Sequence, residues 1–93
     1  MLEKDLEARV VRYAKSRQCL CYKFSSPAHR GVPDRLIIAP GGRVGFLELK
    51  RPGEQPTALQ LSTLNQIRLK GATADWADSF EAAKLFIDAL ILT

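Results

Sequence analysis

Apolar residues recur at helical spacing from the start of the chain. Leu2, Leu6, Val10 and the Tyr13–Ala14 pair share one stripe, which predicts an amphipathic helix over 2–18. Glu3, Glu7, Val11 and Ala14 form the neighbouring stripe, so Glu7 stands at the edge of the buried face. The pattern turns to alternation in 19–24, CLCYKF, a strand with no breaker. SSPAHRGVP (25–33) is a loop. Residues 35–39 are a short apolar run, Pro40-Gly41-Gly42-Arg43 is a tight turn, and 44–50 returns as a second strand, making a hairpin. A Pro/Gly loop over 51–56 leads to Thr57-Ala58-Leu59-Gln60, a capping box that opens a helix ending near Gly71. ATADWA (72–77) is a weak strand, and Asp78 with Glu81 three residues on opens a last helix over 79–92. The order α-β-β-β-α-β-α is that of an α/β fold, a mixed β-sheet flanked by helices, in one domain of residues 1–93.

The last helix shows a single polar stripe, Glu81, Lys84 and Asp88, with apolar residues almost everywhere else. One apolar side suffices to cover a sheet. The other asks for a partner, and a second copy meeting it through helix 79–92 is the simplest, so a homodimer is expected.

Composition excludes little. With 46% hydrophobic and 26% charged residues the chain is ordinary globular protein rather than a disordered segment. The net charge of +4 matters more for where it lies. Residues 1–31 hold seven basic and three acidic side chains, whereas 57–93 hold three and four. A basic front half suits a polyanionic partner. The amino terminus is charged from its third residue, unlike a signal peptide, and no apolar run has the ~20 residues that span a bilayer. A cytoplasmic location without membrane attachment is expected. Cys19 and Cys21, at i and i+2, read as small buried hydrophobes rather than as a disulfide or zinc ligands.

The hairpin carries the candidate chemistry. Asp34 follows Gly31-Val32-Pro33 at the head of the first strand, and Glu48-Leu49-Lys50 lies on the second. Residues two apart on a strand face one side, so Phe46, Glu48 and Lys50 project together while Leu47 and Leu49 turn to the other face. A tight turn brings Asp34 near Glu48. Two carboxylates held close repel unless a cation joins them, and Mg²⁺ is held by one or two carboxylates with waters and phosphate oxygens. A neighbouring lysine can orient water or neutralise charge at phosphorus. Glu7, on the first helix, is placed to supply a further acid for a second ion.

The run Gly31-Val32-Pro33-Asp34-Arg35, followed by Gly42-Arg43, Phe46, Glu48-Leu49-Lys50, Pro52-Gly53 and Gln60, resembles the virus-type replication-repair nuclease (VRR-NUC) domain in its stand-alone phage type. That domain is a branch of the PD-(D/E)xK superfamily with a restriction-endonuclease-like core. The resemblance implies that Asp34 and Glu48 bind metal with the Leu49 backbone carbonyl, that Lys50 lies beside the attacking water, and that Gln60 stands near the site. Glu7 resembles the first-helix acid of related junction-cleaving nucleases, with Glu3 one turn earlier in reserve. Gln60 is also the capping partner of Thr57, and the two roles can compete. The strand after Gly71 departs from the family pattern in carrying Asp75.

The resemblance further implies a Mg²⁺-dependent endodeoxyribonuclease, with Mn²⁺ able to substitute. Its substrate would be branched DNA such as a Holliday junction, and it would act as a homodimer in a bacterial or phage-infected cell. Lys23, Arg30, Arg35, Arg51 and Ser26 border the loops of the site and are the expected DNA contacts. Two other readings stay open: a flap or single-strand nuclease or nicking subunit of a phage complex, and a non-catalytic DNA-binding module.

Overall fold

The computed structural model describes residues 2–92. The elements follow the expected order: α1 (Glu3–Ser16), β1 (Leu20–Lys23), β2 (Arg35–Ile38), β3 (Val44–Leu49), α2 (Ala58–Leu69), β4 (Thr73–Ala77) and α3 (Phe80–Leu92). The sheet order is β1-β2-β3-β4. The first three strands run antiparallel, and β4 lies parallel to β3 after the α2 crossover. Asp75 is tolerated because β4 is an edge strand, where it pairs with Arg68 at 3.1 Å.

Strand alternation divides the sheet. Ile37, Leu47 and Leu49 face α1 and α3 and form the core with Leu6, Val10, Ala14, Ala83, Ile87 and Leu90. Gly45 lies on the same face. A Cβ there would come within 2.8 Å of Phe86 and Leu90, so glycine is what lets α3 lie close on β3. The opposite face carries Leu36, Ile38, Phe46 and Glu48. Helix α2 covers it on the β4 side, burying Leu64 and Ala74. On the other side the sheet is open, and Leu20, Tyr22 and Val44 are exposed.

One local expectation is corrected. The cap of α3 is Ser79, whose Oγ accepts the Ala82 N–H at 3.1 Å. Asp78 instead accepts the Gly53 N–H at 3.1 Å and ties down the 51–56 loop. Along the polar stripe of α3, Glu81 and Lys84 are exposed. Asp88 faces α1, where Tyr13 Oη donates to it and Arg17 Nη1 approaches to 2.6 Å, while Lys84 pairs with it at 3.2 Å. Leu85 and Leu92 are the large apolar residues that α3 leaves exposed. Cys19 is buried and Cys21 packs against the core, and burial raises both thiol pKa values.

Candidate active site

The loop before β2 is built to hold Asp34. Gly31 has φ +83°, a conformation glycine adopts freely. A Cβ there would lie 3.0 Å from Leu59 Cγ and 3.3 Å from the Leu59 carbonyl, so the loop seats directly on α2. Pro33 is fully buried. The Asp34 carbonyl accepts the Phe24 N–H at 2.8 Å, and its carboxylate Oδ2 accepts the Leu49 N–H at 2.9 Å. Register pairs Arg35 with Leu47, so the ladder extends to set Asp34 across from Glu48.

Glu48 is a charged group inside the protein, only 2% exposed. Its Oε2 accepts from Gln60 Nε2 at 3.1 Å and lies 3.5 Å from Lys50 Nζ. Its Oε1 is buried and has no hydrogen-bond partner. Burial, and then the negative charge of Asp34, push the Glu48 pKa up to about 7, with Lys50 opposing and Glu3 adding to the rise. Asp34 is raised as well, chiefly by burial, against the pull of the Leu49 N–H, Lys50 and Lys23.

Gln60 makes capping and carboxylate contacts at once. Its Oε1 accepts the Thr57 N–H at 2.9 Å, and its own N–H donates to Thr57 Oγ1 at 3.2 Å, which completes the capping box. Its Nε2 is left for Glu48. The roles coexist because a primary amide has an acceptor end and a donor end, and each is matched here.

The helix acids stand apart from this pair. Glu7 lies between Arg35 Nε at 3.5 Å and Lys23 Nζ at 3.9 Å. Among the described residues no three of His, Cys, Asp and Glu form a metal-binding group, so Glu7 is not drawn into one cluster with Asp34 and Glu48. It raises the pKa of Asp34, whereas Glu3 acts on Glu48. The expected DNA contacts divide. Lys23 and Arg35 are engaged with Glu7, and the Arg35 side chain is largely buried. Arg51 pairs with Glu54 at 2.8 Å. Arg30 is exposed on the 25–33 loop, and the Ser26 carbonyl accepts the His29 N–H at 3.2 Å. Glu54 was not among the expected site residues, yet it also lies 3.9 Å from Lys50 Nζ. Its spacing after Lys50 and Arg51 was the available signal.

The donor set fits a hard divalent cation. Two facing carboxylates, both with raised pKa values, and an unpartnered buried carboxylate oxygen make a pocket of oxygen donors short of positive charge. With no third acid grouped with them among the described residues, the remaining donors would be backbone oxygen, water or substrate phosphate.

A mixed four-stranded sheet sets two carboxylates and a lysine at one end of a β-hairpin in a small α/β fold. Comparison with known proteins makes this specific. A solved structure named "VRR_NUC domain" superposes with a TM-score of 0.86 at 26% identity, over 95% of this chain and 96% of that one. A second, named "VRR_NUC domain protein", gives 0.80 at 18% identity over 99% and 89%, which speaks for the fold alone. "Putative nuclease p44" of Acyrthosiphon pisum secondary endosymbiont phage 1 is 46% identical over 59 residues, 63% of this chain. The match spans 63% of that curated relative's length as well. No family model matches the chain. The chain has the fold of the VRR-NUC nuclease domain.

Proposed function

We propose that the protein is a metal-dependent endodeoxyribonuclease that hydrolyses phosphodiester bonds in branched DNA such as Holliday junctions. The observation that carries the reading is the buried pair Asp34 and Glu48 beside Lys50, with Glu48 Oε1 unpartnered. The VRR-NUC fold and the phage relative's name agree with it.

Asp34, Glu48 and the Leu49 carbonyl would hold Mg²⁺, or Mn²⁺ in its place, and Glu7 or Glu3 would serve a second ion. The bound ion would polarise a phosphoryl oxygen and lower the pKa of a water. The Leu49 N–H and the Gln60 amide orient the two carboxylates, which spares the site from reorganising during reaction. Lys50, itself largely buried, stabilises negative charge building on the phosphoryl oxygens. Water adds to phosphorus with loss of a proton, one P–O ester bond breaks, and the departing sugar oxygen takes up a proton.

The working unit would be a homodimer, for which the exposed Leu85 and Leu92 of α3 speak. Two such sites suit the near two-fold symmetry of a four-way junction. Arg30, with Lys23, Arg35, Arg51 and Ser26 behind it, would meet the phosphates. No described helix is long and apolar enough to cross a membrane. The cytoplasm of a bacterial or phage-infected cell is the proposed setting. The test is cleavage of linear duplex, flap, fork and four-way junction substrates with and without Mg²⁺, using Asp34→Ala as control. Metal-dependent cleavage that favours the junction and is lost in the variant is expected. Equal rates on linear duplex would remove the structure-selective part, and full cleavage by Asp34→Ala would remove the site.

A further inference from the structure

Beside the carboxylates lies a groove that the hydrolytic residues leave unused. It is a shallow, open hollow of about 480 Å³ between the open sheet face and α2, a size in the range of small-ligand sites. Phe24, Val32, Phe46 and Ile67 make its apolar walls. Phe24 and Phe46 meet edge to face, with ring centroids 5.5 Å apart at 60°. Two exposed cationic or polar side chains, His29 and Lys70, also border it, and none of its lining residues is acidic.

Its position ties it to the acid site. Phe46 and Glu48 stand two residues apart on the same face of β3, roughly 7 Å along the strand. Phe24 donates its backbone N–H to the Asp34 carbonyl. The wall that shapes the groove is therefore continuous with the backbone that positions both carboxylates. A strand whose phosphate sits at Asp34 and Glu48 would carry its neighbouring base to this groove. Aromatic walls accept any base through its π-face, while a rim without acids tolerates the attached phosphates.

We infer that this groove binds an unstacked nucleobase of the DNA strand next to the scissile phosphate, with Phe46 as the principal contact and Lys70 pairing with phosphate. The inference rests on the nuclease reading for the direction of the strand. Its consequence is substrate selection: bases at branch points, flaps and single-stranded ends are already unstacked, whereas intact duplex must first be opened.

The test separates base from phosphate and needs no cleavage. Binding of fluorescein-labelled five-nucleotide thymidine DNA is compared with that of its fully abasic counterpart by anisotropy, without added divalent cation. The wild-type protein is expected to prefer the thymidine strand by roughly 5- to 150-fold, the range for stacking on one aromatic residue. Phe46→Leu should abolish most of that preference, and Lys70→Gln should weaken both strands alike. The abasic strand provides the comparison without altering the protein, so it stands even if Phe46→Leu folds poorly. Equal affinity of the wild type for both strands overturns the inference, as does failure to bind either. A protein that prefers thymidine but shows no Mg²⁺-dependent cleavage would sink the nuclease reading and leave the groove standing.

Discussion

Gln60 Nε2 donates to Glu48 Oε2 at 3.1 Å while the other end of the same amide caps α2. The start of a helix and a buried carboxylate are thereby held by one side chain. Variants separate the two duties. Thr57→Ala removes the hydroxyl partner of the cap and should cost about 1 kcal/mol of stability with cleavage largely intact. Gln60→Ala should cost at least as much and also slow cleavage, since Glu48 loses its orienting donor. Thermal melts and single-turnover rates on the two proteins check this. Equal rates in both would show that the amide does not serve the site.

Glu48 should make the metal-free protein less stable as the pH rises. Its pKa is raised from 4.5 to about 7, so between those values the folded state holds a proton that the unfolded state has released. Stability from this group is thus highest below pH 4.5 and declines up to pH 7. Glu48→Gln should stabilise the metal-free protein by about 1–3 kcal/mol at pH 8, with the gain vanishing near pH 4.5. Denaturant melts at both pH values read it directly. A destabilised variant at pH 8 would contradict the account.

Cation binding should be coupled to the same proton. A divalent ion needs the carboxylate form, so Mg²⁺ should raise the melting temperature more at pH 8 than at pH 6. Glu48→Gln and Asp34→Asn should each lose most of that shift. A rise independent of pH and retained in both variants would place the ion elsewhere.

Lys50→Ala should leave the fold in place and slow cleavage by roughly 10²–10³-fold, the usual effect of removing one group that stabilises transition-state charge. The expected signature is a loss in the single-turnover rate with DNA affinity nearly unchanged. A variant that cleaves normally would reduce Lys50 to a structural partner of Glu48 and Glu54.

Gly31→Ala should cost about 1–3 kcal/mol, because alanine at φ +83° is strained and its Cβ meets Leu59. The loop carrying Asp34 would shift, so cleavage should fall further than stability explains. Gly41→Ala, also at positive φ but in open space, is the control for strain alone.

Much of this was legible locally. The 3.6-residue recurrence of Leu2, Leu6 and Val10 and the turn glycines at 41 and 42 marked the elements, because such signals act over a few residues. Glu48-Leu49-Lys50 stood out for the same reason, with the strand's period placing Glu48 and Lys50 on one side. Asp88 did not. Its partners Tyr13 and Arg17 lie on and just after α1, more than seventy positions away, beyond the reach of any local pattern. Asp78 was the expected cap of the last helix, but it accepts the Gly53 N–H and Ser79 takes the cap position.

The sequence by itself determined the order of elements, the α/β class, and the placing of two acids and a lysine on one hairpin, since these follow from side-chain type and short spacing. Only the tertiary structure decided that Glu7 would be occupied by Arg35 and Lys23, that Gln60 would reach Glu48, and that one oxygen of Glu48 would be left without a partner. The reason is that desolvation and pairing depend on which distant groups close over a side chain, and strand register and helix docking set that.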